Sequence, residues 1–198
     1  MYIKNYCKIN KSGVSLNGKQ LNEYSDTTLK PLLKHIYRNN EMNYPKFFKM
    51  DSLCKLAYIC SELILDKESI EENTAIVLSN SASSLDTDRK HQESISDPEN
   101  MFPSPAVFVY TLPNIAVGEI SIRFKLKGEN AFFIFDAFDS KFHFNYEKAI
   151  FDQQKSKALI GGWVDVDGDT FDAFVYYVSP NEGMIEYTQQ NLEKLYKE

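Results

Sequence analysis

Five consecutive apolar residues dominate the middle of this sequence and end abruptly in a polar turn. Residues 131–135 read AFFIF, and DAFDS follows at once. A short continuous apolar run bounded by turn signals is typical of a strand buried on both faces. Residues 103–127 before it predict an apolar helical segment broken at Gly118 and a basic edge, and Gly128 predicts a turn. The stretch therefore predicts a helix, a buried strand and a sharp strand-to-helix turn.

The rest of the chain alternates between strand and helix patterns. Stretches rich in β-branched or alternating apolar residues predict strands at 2–9, 74–80, 157–166 and 170–178. Apolar residues spaced three and four apart predict helices at 26–38, 51–65, 86–94, 139–154 and a closing segment marked by Ile185, Leu192 and Leu195. This order favours an α/β layered domain.

The helix predicted at 139–154 directly follows the polar turn. Asp139 or Ser140 can serve as its N-cap, since both side chains can accept a hydrogen bond from the first turn. Its apolar spacing predicts an inner face made of Phe142, Tyr146, Ala149 and Ile150.

Length and charge restrict the possible functions. The 198 residues suit one domain spanning 1–198, with residues 1–50 as an N-terminal extension holding a strand and a helix and with 81–102 as a mobile loop. A net charge of −6 argues against a nucleic-acid or anionic-membrane binder. We find neither an apolar run of membrane-spanning length nor a signal-peptide core, so we expect a cytoplasmic protein. Its three cysteines have no metal-ligand spacing and predict reduced thiols, and no metal or cofactor is expected.

One segment resembles a known enzyme family. The run SPAVFVYTLPNIAVGEISIRFKLKGEN, followed by Ile160, Gly161 and Gly162, is similar to the N-terminal half of a β-ketoacyl synthase, the condensing enzyme of fatty-acid and polyketide synthesis. The similarity extends over about residues 50–178 and rests on SPAVF, LPNIAVGE and the paired glycines. It implies a thiolase-like fold, of which this chain would be the N-terminal half of an α/β/α arrangement.

The resemblance also implies where a nucleophile would stand. That family carries its reactive cysteine where the apolar strand breaks into the next helix, which corresponds here to Ala137 or Phe138. No cysteine follows Cys60. The two further catalytic groups of the family, usually histidines, come from its C-terminal half, and His35, His91 and His143 lie in no segment that resembles that half. We therefore expect no condensing activity.

Two other chemistries are weighed against plainer explanations. Ser140 and His143, three residues apart with Asp136 and Asp139 nearby, could form a replacement nucleophile, although a helix cap explains the pattern more simply. Asp165, Asp167 and Asp169 alternate like the start of a calcium loop. The required glycine and the twelfth-position glutamate are missing, so a hairpin turn around Asp167-Gly168 explains these aspartates better.

Two surfaces are candidates for partners. A region rich in basic and aromatic residues is either a solvated face or a docking surface for an acidic partner such as an acyl carrier protein; its cations are Lys30, Lys34, Arg38, Lys46 and Lys49. In the resembling family the strand before the nucleophile pairs across a dimer axis. We therefore expect Ala131, Phe132, Phe133, Ile134 and Phe135 to be covered by a second copy or by a ketosynthase.

Three functions remain open on the sequence. The first is a non-catalytic ketosynthase-like subunit or scaffold in a fatty-acid or polyketide pathway. The second is a half-enzyme completed in trans by a separate polypeptide. The third is a module that binds acyl groups or carrier proteins.

Overall fold

The computed structural model describes residues 1–21, 23–24, 26, 28–65, 70–180 and 183–198. Its strands, in chain order, are β1 (Tyr2–Asn10), β2 (Gly13–Leu16), β3 (Lys19–Gln20), β4 (Ala75–Asn80), β5 (Asn130–Ile134), β6 (Leu159–Asp167), β7 (Thr170–Ser179) and β8 (Ile185–Glu186). Its α-helices are α1 (Leu29–Asn39), α2 (Ser52–Ile64), α3 (Leu85–Glu93), α4 (Pro105–Val109), α5 (Ile115–Phe124), α6 (Ser140–Asp152) and α7 (Gln189–Lys197). A 3₁₀ helix covers Pro45–Lys49.

The strands form one mixed sheet in the order β3-β2-β1-β7-β6-β4-β5, with β8 paired to β1. Strand β4 pairs in parallel with both β5 and β6, whereas β6, β7, β1 and β2 follow one another antiparallel. All six residues of β4 are buried, as its apolar β-branched sequence predicts. Strand β5 lies at the end of this order and is bonded along one side, to β4.

Helices cover both faces of the sheet. One core cluster joins α1, α2 and α5 to the sheet, and a second joins α6 and α7 to the opposite face. Helix α2 is the centre of the first cluster: ten of its thirteen residues are buried, and Asp51 caps it by accepting a hydrogen bond from Cys54 N. The layered α/β/α arrangement predicted from the sequence is therefore confirmed.

The N-terminal residues are part of the sheet. Strand β1 pairs with β7 along one side and with β2 and β8 along the other, and its Ile3, Cys7 and Ile9 are fully buried. The segment expected to be an extension therefore supplies an inner strand. The helix predicted at 26–38 is α1, which begins after Thr28; Thr27 lies outside the described residues.

Three local predictions are corrected. Gly118 lies inside α5, and the break in the helical segment falls between α4 and α5, where Pro113 cannot supply a helical N–H. Strand β5 is half-buried, because both faces contact the core clusters while Ile134 remains 49% exposed at the sheet edge. The hairpin turn is one residue later than predicted: Asp167 pairs with Thr170, so Gly168 and Asp169 form it.

The part of the chain that the structure describes contains no helix with the length and apolar character needed to cross a membrane.

Candidate functional site at the turn after strand β5

The turn that follows β5 connects the sheet edge to α6. Phe135 N donates a hydrogen bond to Asn80 O (2.9 Å), which extends the pairing with β4 by one residue. Asp139 caps α6 by accepting from Phe142 N (2.8 Å), as the sequence predicts. The turn is therefore fixed at both ends, and residues 136–138 lie between these two hydrogen bonds.

The two positions that the resemblance predicts for a nucleophile, Ala137 and Phe138, carry no reactive group. Ala137 is exposed, while Phe138 is half-buried among three other rings. Its ring centroid lies 4.8 Å from that of Tyr196, 5.1 Å from His143 and 5.5 Å from Phe174. Phe138 thus packs as a structural residue where a nucleophile would need space for its substrate.

An open recess of about 520 Å³ lies beside the turn. Residues 135–140 form one wall and Glu193, Tyr196 and Lys197 of α7 form the other. The Tyr196 hydroxyl donates to Asp172 Oδ2 (2.8 Å), and burial together with this carboxylate raises the pKa of Tyr196, so the phenol stays protonated. Between the recess and the protein interior stands the Phe138 ring.

Behind Phe138 lies a fully buried polar network that the sequence reasoning missed. His143 and Glu147 of α6 are both inaccessible to solvent, as is Ser79 of β4. Glu147 Oε1 lies 2.8 Å from His143 Nδ1, and Ser79 Oγ lies 2.7 Å from His143 Nε2. Since a carboxylate can only accept, His143 Nδ1 donates to Glu147 Oε1, and the Ser79 hydroxyl pairs with Nε2 on the other side of the ring.

Two phenols complete the network. Tyr176 OH donates to Glu147 Oε1 (2.8 Å), and Tyr187 OH donates to Glu147 Oε2. Burial first, and then the negative charge of Glu147, raises the pKa of both tyrosines. Both phenols therefore remain donors, and Glu147 has a hydrogen-bond donor at each of its oxygens.

This network corrects the predicted inner face of α6. The buried residues of the helix are His143, Glu147 and Ile150, whereas Phe142 and Tyr146 are half-buried and Ala149 is exposed. The helix is turned by about one residue because its polar pair finds hydrogen-bond partners on β4 and β7. The displaced aromatic side chains pack with β5 instead. The ring centroid of Phe133 lies 4.7 Å from that of Phe142 and 5.0 Å from that of Tyr146.

Ser79, His143 and Glu147 have the order of a nucleophile, a base and an orienting acid. Such a set needs a substrate carbonyl next to the serine. Here Ser79 is fully buried in an inner strand and Phe138 lies across His143, so no carbonyl can reach it. The arrangement holds α6 against the sheet. Ser140, the serine considered from the sequence, is the first residue of α6, and the serine hydrogen-bonded to His143 is Ser79.

The aspartates and cysteines have structural positions. Asp165 Oδ1 accepts from Ser81 N (3.0 Å) and Ala82 N (2.8 Å), which fixes the loop after β4. Asp167 forms an ion pair with Arg89. All three cysteines are buried free thiols, and burial raises the pKa of Cys54 and of Cys60. A thiol so held is a poor nucleophile.

The five cations of the candidate docking surface lie in three different environments. Lys30, Lys34 and Arg38 are exposed along α1, four residues apart on the same side. Lys46 Nζ lies 2.8 Å from Glu119 Oε2, a carboxylate that is otherwise buried, so Lys46 neutralises a core charge. Lys49 lies at a cleft that it shares with Lys30.

Known structures share this fold. The chain superimposes on an ishigamide ketosynthase/chain length factor chain with a TM-score of 0.65 and 18% identity, over 92% of this chain and 63% of that one. The fold is thiolase-like and of the ketosynthase type. A chain from the complex of the ketosynthase ApeO with its chain length factor ApeC, from Xenorhabdus doucetiae, superimposes with a TM-score of 0.55. Its sequence identity is 13%, over 92% of this chain and 81% of that one. A third match is a chain of AntDE:AntF, a type II polyketide synthase acyl-carrier protein in complex with its ketosynthase. Its TM-score is 0.59 and its sequence identity is 10%, over 98% of this chain and 64% of that one.

The chain spans somewhat less than two thirds of the ishigamide and AntDE:AntF chains that it matches. Neither protein-family models nor curated proteins match its sequence.

Proposed function

We propose that this chain is a non-catalytic ketosynthase-like subunit that pairs with a ketosynthase in a polyketide- or fatty-acid-type pathway. The observation that carries the proposal is the turn after β5, where the resemblance predicts the nucleophile at Ala137 or Phe138 and where Phe138 packs inward on His143. A condensing enzyme needs an accessible thiolate at that turn. The ketosynthase-type fold without that group fits a partner better than an enzyme.

The open edge of β5 supports pairing with a second chain. The outer side of this strand has unpaired backbone groups among the described residues, and its Ile134 side chain is 49% exposed. An exposed apolar strand edge is a template for association unless something covers it. Phe133, Phe135 and Phe142 form an aromatic group beside this edge, with ring centroids 4.7–5.9 Å apart. Aromatic side chains of this kind are enriched at the centres of interfaces.

A second apolar surface lies on and around α4. This five-residue helix has no buried residue. Exposed fractions between 46% and 78% occur at Met101, Phe102, Phe108, Val109 and Leu112. Such a concentration of large apolar side chains marks an interaction surface.

Mixing with a ketosynthase tests the pairing. A candidate ketosynthase should be co-expressed with this chain and the complex measured by size-exclusion chromatography with light scattering. We expect a heterodimer that Ile134→Asp disrupts and that the matched variant Ile122→Asp, at a 62% exposed position of α5, leaves intact. Equal effects of the two variants would contradict an interface at β5. A wild-type chain that is monomeric alone and forms no complex would contradict the proposal itself.

The half-enzyme alternative makes a different prediction for the same complex. If this chain supplied a nucleophile in trans, incubation with an acyl thioester would acylate a peptide of this chain. We expect intact-mass analysis to find the acyl group on the ketosynthase only. An adduct within residues 135–140 would favour the half-enzyme.

Docking of an acyl carrier protein is a separate part of the proposal. Lys30, Lys34 and Arg38 form an exposed cationic row on α1 that could meet an acidic helix. Reversing Lys34 and Arg38 to Glu should weaken carrier binding and its salt dependence, while the melting temperature stays nearly constant. Binding that resists both the reversal and high salt would rule out this surface. Carrier binding by the isolated chain, without any ketosynthase complex, would favour the binding-module alternative.

A further inference from the structure

Lysines converge on a cleft between α1, α2, α3 and α4, far in sequence from the turn after β5. The cleft has a volume of about 260 Å³. Four lysines line it against the single carboxylate of Asp51: Lys30, Lys49, Lys55 and Lys90. No carboxylate among the described residues lies within ion-pair distance of Lys30, Lys49 or Lys55, whereas Lys90 pairs with Asp86 on its own helix. The positive charges of the four lysines therefore lie close together without an equal number of negative charges in the cleft.

Asp51 does little to offset these charges, because its carboxylate is already engaged. One oxygen accepts from Cys54 N (2.9 Å) as the cap of α2, and the other accepts from Thr87 Oγ1 (2.9 Å). The N-terminal end of α2, with the positive end of its dipole, also opens at the cleft through Ser52.

Lys55 shows the effect of the neighbouring positive charges. It is partly buried and lies 5.8 Å over the Phe47 ring. Burial, with added repulsion from Lys30 and Lys90, lowers the pKa of Lys55, and Asp51 acts in the opposite direction. A bound anion would relieve this repulsion.

The remaining wall is apolar. Met50, Ala106, Val107 and the ring of Tyr110 face the lysines across the cleft. At about 30 Å³ per water molecule, the volume holds roughly nine waters, or a ligand with a similar number of heavy atoms. Lysine ammonium groups bind phosphate well as point charges, and a doubly charged head matches several unpaired lysines better than a carboxylate does.

We propose that this cleft binds a soluble organic phosphate ester that carries a short apolar group. The phosphate contacts the lysines, and the apolar group lies against Val107 and Tyr110. The proposal does not depend on pairing with a ketosynthase, because none of the cleft residues belongs to β5 or to the turn that follows it.

Hexyl phosphate is a suitable probe, with inorganic phosphate and hexanol as its two halves. By isothermal titration calorimetry with the whole chain, we expect saturable binding of hexyl phosphate at least tenfold tighter than that of inorganic phosphate, and none of hexanol. Lys30→Met/Lys55→Met should weaken hexyl phosphate binding at least tenfold. The matched control Lys34→Met/Arg38→Met removes two α1 charges that do not line the cleft and should change binding less than twofold.

Several results would overturn the proposal. No saturable binding at millimolar hexyl phosphate, equal effects of the two double variants, or equal affinity for hexyl and inorganic phosphate would each do so. Binding only to phosphatidic-acid vesicles would assign the lysines to a membrane surface instead. Lys55→Arg keeps the charge and should retain binding, which separates loss of charge from loss of folding. Failure here leaves the pairing test at β5 unaffected.

Discussion

Truncating Glu147 is the most informative perturbation of the region behind the turn. Its carboxylate is fully buried and accepts hydrogen bonds from Tyr176, Tyr187 and His143. Glu147→Ala would leave these three donors without an acceptor and would open a cavity. A buried donor left unsatisfied costs about 1–3 kcal/mol, so the three donors and the cavity together set the size of the loss. Because Tyr176 OH already lies 3.4 Å from His143 Nδ1 and can partly re-pair, we expect a loss of about 4 kcal/mol.

The single tryptophan reports this change directly. Trp163 is buried on β6 and is the register partner of Ser79 on β4, so its fluorescence follows opening of the sheet beside the network. Urea unfolding should show the loss as a lower midpoint. The melting temperature should fall by about 8–16 °C, since in a chain of this size each kcal/mol of lost stability lowers it by about 2–4 °C.

Two further variants make the test specific. Lys148→Ala truncates the side chain next to Glu147 in α6, which is exposed and pairs with Asp152. Its free energy of unfolding should stay within about 0.5 kcal/mol of the wild-type value. Glu147→Gln keeps the shape but replaces one acceptor by a donor, so we expect an intermediate loss of about 2 kcal/mol. If Glu147→Ala unfolds within about 1 kcal/mol of the wild type, the network does not hold α6 to the sheet.

Three other outcomes follow from the same region. Gly161→Ala should lose about 2–3 kcal/mol in urea unfolding, because a Cβ there would lie 2.5 Å from Glu147 Oε1 and from the Tyr176 ring; an unchanged midpoint would contradict this packing. The raised pKa values of Tyr176 and Tyr187 predict stability that is complete below about pH 10, the unfolded value, and falls as the pH rises further, because only the unfolded chain then releases these protons. Urea midpoints that stay constant from pH 9 to 11.5 would argue against it. Phe138→Ala should lose about 2 kcal/mol through its ring contacts, and a midpoint equal to that of Ala137→Gly would show that Phe138 does not pack as described.

The sheet and its helices could be predicted because their signals are local. The sequence of β4 begins with the apolar run of residues 75–78, two of them β-branched, and the strand is buried throughout. Asp51 and Asp139 precede helical spacing and cap α2 and α6. These patterns depend on a few neighbouring residues, so no knowledge of distant partners is needed.

The inner face of α6 could not be predicted in the same way. Apolar spacing favours Phe142 and Tyr146 as the buried side, but His143 and Glu147 are buried instead. A polar residue can be buried only where partners satisfy it, and these partners come from strands far along the chain. The one local signal was the four-residue spacing of His143 and Glu147, which places them side by side on a helix.

The same limit applies to surface charge. Lys46 belongs by sequence to a basic region, but it pairs with Glu119 of α5. Lys55 and Lys90 belong to other helices, and only the fold brings them beside Lys30 and Lys49. Charge clusters formed in space therefore differ from charge runs read along the chain.

Phe138 links the side chain at the predicted nucleophile position to the stability of the turn. A nucleophile at this position would have to face a space open to substrate, whereas Phe138 places its ring between the recess beside α7 and the buried His143. The ring contacts side chains from α6, β7 and α7, so it joins three elements that a small thiol would leave unpacked. Replacing Phe138 by cysteine alone would therefore remove these packing contacts. At its other end the turn continues directly from the half-buried β5, whose outer edge pairs with no other strand in the part of the chain that the structure describes. The two sides of this region therefore differ. Aromatic packing closes the inner side of the turn, whereas the outer edge of β5 remains exposed.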